Sequence, residues 1–338
     1  MLTYLNLFPN MSTLRQLFFK HLAQTSPTPP AIEFESAEGC FLTDNKGKKY
    51  LDLISGISVS SLGHGNKEIR EAIHKQVDSH LHLMVYGEYI VKPQVDLVEN
   101  LCKYLPETLQ SVFLTNSGTE ATEGAMKLAK RYTGRTGFIS FRNSYHGSTQ
   151  GALSICGNEM LKQAYRPLLP DHLILDFNQA DQLKHIDENI AAVFVEPIQA
   201  EAGIILPTDD FLKKLRKRCS EKDVLLVFDE IQTGMGRTGT LFAFNSFDVV
   251  PDILLLGKAF GGGMPIGAFV SSNEIMATLT FDPVLGHLTT TGGHPVSCAA
   301  ALKALQLTTA TGFTDSVIEK GKLFKKLLIL CFVNNPEL

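Results

Sequence analysis

The 338-residue chain is short of several features, and each shortage removes a class of function. Lysine and arginine (31) do not outnumber aspartate and glutamate (35), so a net charge of −4 and a pI near 6.2 leave no electrostatic footprint for nucleic acid. The six cysteines (Cys40, Cys102, Cys156, Cys219, Cys298 and Cys331) are scattered and contain no CxxC pair. That excludes a disulfide framework and suits the reduced thiols of a cytoplasmic protein. His80 and His82 flank Leu81, but no cysteine or carboxylate cluster joins them; they read as a polar helix end, and no metal is expected. No run approaches the ~18 apolar residues of a membrane span, so no membrane partner is expected. No acid precedes Glu33, yet the apolar start MLTYLNLFPNM is broken by Pro9 and no small-residue cleavage site follows. A secretory signal is not expected, an organelle transit peptide is a weak alternative, and Met11 is an alternative start.

With 44% hydrophobic and 20% charged residues the chain is globular, and its length suits one large domain plus a smaller one. The substrate is expected to be small. The most informative stretch runs from Val224 to Ser271. A buried strand, Val224 to Phe228, delivers Asp229 at its end; a glycine-rich loop follows; a second apolar run, Ile253 to Leu256, delivers Lys258. Desolvation beside an apolar run lowers a lysine pKa and makes the amine nucleophilic, as Schiff-base chemistry requires. A carboxylate at a neighbouring strand end can hold a pyridinium nitrogen protonated. Lys258 and Asp229 together suggest pyridoxal 5'-phosphate (PLP), although either alone reads more readily as an ordinary solvated charge.

The rest of the chain supplies a frame for this pair. After an entry loop at Pro27, Pro29 and Pro30, the segment Gly39 to Leu53 reads as a hairpin turning at Asn45 to Gly47. Ser55 to Gly65, rich in serine and glycine, suits either close approach of backbone to a ligand or a plain connector. Ile69, Ile73 and Val77, then Val95, Leu97, Val98 and Leu101, recur at helical spacing. Ser111 to Leu114 is a short strand, and behind it Ala121, Ala125, Leu128, Ala129 and Tyr132 line one helical face. Ser117, Gly118 and Thr119 thus open an amphipathic helix, where free amides and the helix dipole bind phosphate; a simple Ser/Thr cap is the alternative. Gly137 to Phe141 is a strand followed by Tyr145 and His146, which are candidates to stack on a flat ring or, equally, to pack. Ala191 to Val195 is a buried strand ending in Glu196, Gln199 and Glu201, and a helix from Asp209 places Phe211, Leu212, Leu215 and Cys219 inward. Strand and helix alternate, which predicts a mostly parallel α/β sheet with ligands at its carboxyl edge.

The motifs NSGTEATEGAMKLAK, SYHG, VEPIQAEAG, VFDEIQTGMGRTG, LLGKAFGGGMPIGA and TTTGGHP, in this order, resemble those of the class III aminotransferases. The likeness runs from about Gly39 to about Ala310. It implies PLP-dependent transferase fold type I: a mostly parallel sheet in a large domain, here 66–300, with a smaller α+β domain built from 1–65 and from 301 onward. It implies that Lys258 binds the cofactor covalently, that Asp229 meets the pyridine nitrogen, and that Gln232 lies near the ring 3-hydroxyl. Ser117, Gly118 and Thr119 match the phosphate cradle and Tyr145 the stacked aromatic beside His146. Glu196 and Glu201 fall on the substrate side. Thr290 matches a threonine that reaches the phosphate of the other subunit, which implies a homodimer. The implied reaction passes an amino group from an ω-amino donor of the acetylornithine or ornithine kind to a 2-oxo acid such as 2-oxoglutarate; an aminomutase or decarboxylase of the same fold, or an inactive fragment, are the alternatives.

Two positions depart from that pattern. Where the ornithine and acetylornithine enzymes carry an arginine for the substrate α-carboxylate, this chain has Ser148, and Arg142 is near in sequence without being a substitute by position. The chain reaches Leu338 with a helix expected from Thr314 through Leu330 but without the family's following strands and their arginine. The expectation is a small domain cut short, with an exposed apolar face on its last helix.

Overall fold

The computed structural model describes residues 13–208 and 210–334. The stretch with Pro9 and Met11, the expected helix start at Asp209, and Leu338 lie outside the described residues. The chain divides into two compact units, one holding the described residues up to Ser55 with Gly63–Asn66, the other Gly56–Leu62 with the residues from Lys67 onward.

In the first unit, α1 (Leu14–His21) begins at Thr13, whose side chain and that of Gln16 cap each other's backbone N–H. The strands β1 (Phe34–Glu38), β2 (Phe41–Asp44) and β3 (Lys49–Leu51) form an antiparallel sheet in that order. The turn falls where the sequence places it: Asp44 Oδ1 accepts the N–H groups of Lys46 and Lys48, each at 2.9 Å. β1 is not foreseen, because all five of its residues are exposed and carry no inward-facing apolar alternation.

The second unit opens near α2 (Ser55–Ser58), a kinked turn with Gly56 and Ile57 at positive φ. It continues through α3 (Lys67–Ser79), α4 (Lys92–Cys102), β4 (Ser111–Thr115), α5 (Gly118–Thr133), β5 (Gly137–Phe141), α6 (Gln150–Ile155), β6 (His172–Leu175) and β7 (Ile190–Val195). Then come α7 (Phe211–Glu221), β8 (Leu225–Asp229), α8 (Phe244–Phe247), β9 (Ile253–Leu256), β10 (Gly267–Ser271), α9 (Asn273–Ala277), α10 (Pro295–Thr308) and α11 (Phe313–Asn334). Seven strands pair in the order β4-β10-β9-β8-β7-β5-β6. β9, β8, β7, β5 and β6 run parallel, and β10 is antiparallel to both β9 and β4.

The sheet is apolar on both faces, which is why its strands read as continuous hydrophobic runs. Ile139, Val193, Leu226 and Leu254 face one core with α4, α7 and α10; Phe138, Phe194, Val227 and Leu255 face the other with α5. Each fully buried Leu or Phe contributes roughly 1.5–3 kcal/mol. The inward faces of α5 and α7 follow the spacing of their apolar residues except at Tyr132 of α5, which is exposed and donates its Oη to Glu274 Oε1 at 3.0 Å; Val77 of α3 and Val95 of α4 are exposed too. Their helical spacing is real, but each sits at the margin of its stripe. On α11, Leu323, Phe324 and Leu327 are exposed.

Candidate active site

The parallel strands end at one edge of the sheet, and four of their loops build a cavity of about 220 Å³. β8 ends in Asp229, buried with its Oδ2 2.8 Å from His146 Nδ1 and its Oδ1 accepting Ile231 N–H at 3.1 Å. His146 comes from the loop after β5. Its Nε2 is buried without a partner among the described residues, and its Nδ1–H donates to the Asp229 carboxylate.

β9 ends at Leu256 and Lys258 follows Gly257, in a backbone conformation with φ +47 that a side chain seldom adopts. The half-buried amine donates to Gln232 Oε1 from the loop after β8. Burial pulls the Lys258 pKa down; Asp229, Glu201 and Glu196 pull back, and the net direction is downward. The desolvated lysine expected from the sequence is therefore present.

Ser117 is the N-cap of α5, its side chain accepting Glu120 N–H at 3.3 Å. The cap thus exists, and it leaves the N–H groups of Gly118 and Thr119 as the helix's first free donors beside the cavity. Thr119 Oγ1 lies 2.8 Å from Thr149 Oγ1. Gly147 closes the turn at φ +137, where a Cβ would stand 2.2 Å from Thr119 Oγ1. Tyr145 presents a partly exposed ring to the cavity, and burial raises its phenol pKa against the bond from Ser148.

Of the two strand-end carboxylates, Glu196 is buried and accepts Tyr145 N–H at 3.0 Å and Ala200 N–H at 3.1 Å, one per oxygen; burial raises its pKa. Glu201 is exposed. It also lines a second cavity of about 810 Å³ with Tyr145, Lys258, Ile57, Val59 and Leu161. Thr290 is exposed and does not line the 220 Å³ cavity. Arg142 turns to Asp176 instead, Nε to Oδ1 at 2.5 Å, and lines neither cavity. Cavity residues that the sequence did not single out are Gly147, Ile231 and Thr233. Arg237 is another omission: it donates to Ser58 O at 3.0 Å and Ser61 Oγ at 2.7 Å, and its charge depresses the Lys258 pKa. A cation inside the glycine-rich GMGRTG run was the available signal.

The model of the family described as aminotransferase class-III matches residues 22–331. The chain belongs to this family. Among its relatives, the acetylornithine aminotransferase of Methanopyrus kandleri is 38% identical over 315 residues, 93% of this chain and 79% of that protein. That of Clostridium acetobutylicum is 41% identical over 88% of this chain and 78% of its own length. Among solved structures, an aminotransferase of Bacillus anthracis superposes with a TM-score of 0.89 at 27% identity, covering 96% of this chain and 79% of that one. The ornithine aminotransferase of Toxoplasma gondii gives 0.84 at 30% identity, covering 92% and 74%. An amine transaminase of an uncultivated Pseudomonas species, solved in its PLP-bound form, gives 0.85 at 27% over 92% and 79%.

Class III aminotransferases are enzymes that use PLP, and this site suits that cofactor. A buried carboxylate, a desolvated lysine, an aromatic ring and a free helix N-terminus surround one cavity, which matches a pyridine nitrogen, an aldehyde, a ring face and a phosphate in turn. The fold is type I, as the resemblance implied. No helix of the described residues is long and apolar enough to cross a membrane, and none of their side chains form a group of three or more metal-ligating residues. His82 instead stacks on His294, with ring centroids 5.4 Å apart.

Proposed function

We propose that this class III aminotransferase takes the amino group of a terminal-amine donor, of the acetylornithine or ornithine kind, and passes it to a 2-oxo acid such as 2-oxoglutarate. The observation that carries the proposal is the meeting of Lys258 and Asp229 on the walls of one cavity. Relatives named acetylornithine aminotransferase, up to 41% identical, support the donor class.

PLP, when bound, supplies an aldehyde for condensation with a primary amine and a ring that accepts the negative charge left by proton loss. Lys258 would anchor it, and its amine, whose pKa burial pulls down, would move the substrate proton as general base and acid. Asp229, fixed by His146 Nδ1–H, would keep the ring nitrogen protonated. Gln232 would serve the 3-hydroxyl, Tyr145 one ring face, and the Gly118 and Thr119 amides at the Ser117 cap the phosphate. Glu196 orients the loop of Tyr145 through its two backbone contacts, and Glu201 faces the donor in the larger chamber. In a homodimer, exposed Thr290 completes the phosphate site of the partner. An apolar groove of about 540 Å³ with Tyr86, Val112, Phe113, Leu114 and Thr289 on its walls lies along β4, the outer strand of the sheet, and suits a subunit interface. We assign residues 66–300 to the PLP-binding domain and the two chain ends to the smaller one. Six scattered cysteines without a CxxC pair suit the cytoplasm.

The test is an amine panel with purified protein and PLP, following both amine loss and glutamate formed from 2-oxoglutarate. Equal amounts of each, abolished in Lys258→Ala, are expected. Amine turnover without stoichiometric loss of the 2-oxo acid would overturn transfer in favour of a mutase or decarboxylase.

A further inference from the structure

Asn116 lies between β4 and α5, one residue before the Ser117 cap, and its carboxamide is engaged at both ends. Nδ2 donates to Glu120 Oε2 at 2.9 Å and to Thr289 Oγ1 at 3.1 Å, while Oδ1 accepts Thr291 Oγ1–H at 2.8 Å. The Glu120 carboxylate also accepts Asn116 N–H at 2.9 Å. A carboxylate neighbour on one atom and a hydroxyl donor on the other fix the orientation of the amide, and no other side chain of this size offers both functions. Thr289 and Thr291 thus point at Asn116, and Thr290 between them is exposed.

The remainder of that loop is tied to the same helix. Lys127 donates to Gly286 O at 3.2 Å and meets His287 Nδ1 at 3.0 Å. Arg131 donates to Thr278 O at 2.6 Å and to Phe281 O. The His287 ring lies against Phe113 of β4 at 4.9 Å. The helix whose first turn borders the cavity therefore also carries the segment that presents Thr290.

We propose that Asn116 is a positioning residue acting in trans: it sets Thr290 for the neighbouring subunit, so that each subunit's hold on the PLP phosphate depends on its partner's Asn116. This rests on the assignment of Thr290 to the partner's site. Thr289 and Thr291 share the role, because they convey the position of Asn116 to the residue between them.

Hybrid dimers test it, built from a reporter subunit with intact Lys258 and a differently tagged helper subunit carrying Lys258→Ala. Borohydride reduction followed by intact-mass spectrometry counts reporter chains with cofactor fixed on Lys258, at graded concentrations of PLP. Thr291→Val, at an exposed position and close to isosteric, and Asn116→Asp are each placed in the helper alone. Either is expected to raise the PLP concentration for half-loading of the reporter about five- to tenfold, the size of a lost hydrogen bond to a charged group's support. Thr290→Ala in the helper does the same, and all three shifts vanish when pyridoxal, which lacks the phosphate, is the probe. If Thr290→Ala in the helper weakens loading but Asn116→Asp and Thr291→Val act only when placed in the reporter, the inference fails while the dimeric site stands. If Thr290→Ala in the helper has no effect, the cross-subunit assignment falls and the inference with it. A shift that persists with pyridoxal also overturns it.

Discussion

One methyl group added at Gly147 probes the packing behind the cavity. Gly147 has φ +137, a conformation that costs an L-residue about 1–3 kcal/mol. The new Cβ would lie 2.2 Å from Thr119 Oγ1, 2.7 Å from Thr119 Cβ and 2.9 Å from Ala152 Cβ. Thr119 cannot simply turn away, because its Oγ1 is bonded to Thr149 Oγ1 and accepts Thr149 N–H at 3.3 Å. Overpacking of this kind adds about 1–3 kcal/mol, so Gly147→Ala is expected to lose about 2–6 kcal/mol in total. Gly312→Ala is the control: φ is +84, but nothing lies within 4 Å of its Cβ, so only the backbone cost of about 1–2 kcal/mol applies. Denaturant midpoints at unchanged m-value measure both. Movement of Thr119 also disturbs the first turn of α5, so Gly147→Ala should weaken PLP retention while Gly312→Ala does not. If Gly147→Ala unfolds no earlier than Gly312→Ala and keeps its cofactor, the close packing of this turn against α5 is refuted.

Glu230 accepts Ala243 N–H at 2.6 Å and Phe244 N–H at 2.7 Å, yet complete burial raises its pKa from 4.5 to about 7. A carboxyl with a raised folded-state pKa binds its proton more tightly when folded, so stability falls as pH rises from about 4.5 to 7, by up to roughly 3 kcal/mol. Glu230→Gln should flatten that decline, measured as unfolding free energy at pH 5, 6 and 7; parallel curves for the two proteins would contradict it. Ser148→Arg should raise kcat/KM for carboxylate-bearing donors about tenfold relative to diamines, by supplying a bidentate partner at the cavity wall; an unchanged ratio in a two-donor competition would exclude that wall as the carboxylate site. Lys162, fully buried, donates to Ser154 O at 2.7 Å and Cys156 O at 3.0 Å. Lys162→Met should cost about 2–4 kcal/mol by stranding two carbonyls, read from thermal unfolding, and a neutral result would show that those carbonyls find other donors.

Much of the site was legible because strand ends carry it: an apolar run of fixed direction followed by a charged residue predicts where Asp229 and Lys258 emerge, and β8 and β9 deliver them at one edge. The first turn of α5 was equally readable from its apolar stripe and Ser-Gly-Thr opening. Less visible were side chains whose partners lie far along the chain. Nothing local reveals that Arg142 turns to Asp176, that Glu196 spends both oxygens on backbone amides, or that Arg237 reaches Ser58 and Ser61. β1 escaped because an exposed strand has no hydrophobic pattern to betray it. Tyr132 misled because helical spacing places a residue on a face without fixing how far that face is covered.

The antiparallel pairing of β10 with β4 sets a timetable for biosynthesis. Thr115, two residues before the Ser117 cap of α5, pairs with Gly267, beyond the lysine loop, and the register runs on to Ser111 with Ser271. At a synthesis rate of about 5–20 residues per second, a ribosome needs on the order of ten to thirty seconds to supply the second strand after the first. Over that interval β4 has no strand to pair with, because β10 is its one neighbour in the seven-stranded sheet. Such distant closure is entropically slow even once the chain is complete. The turn at Gly118 and Thr119, which lines the cavity after β4, is thus joined to the rest of the sheet only once β10 has been made.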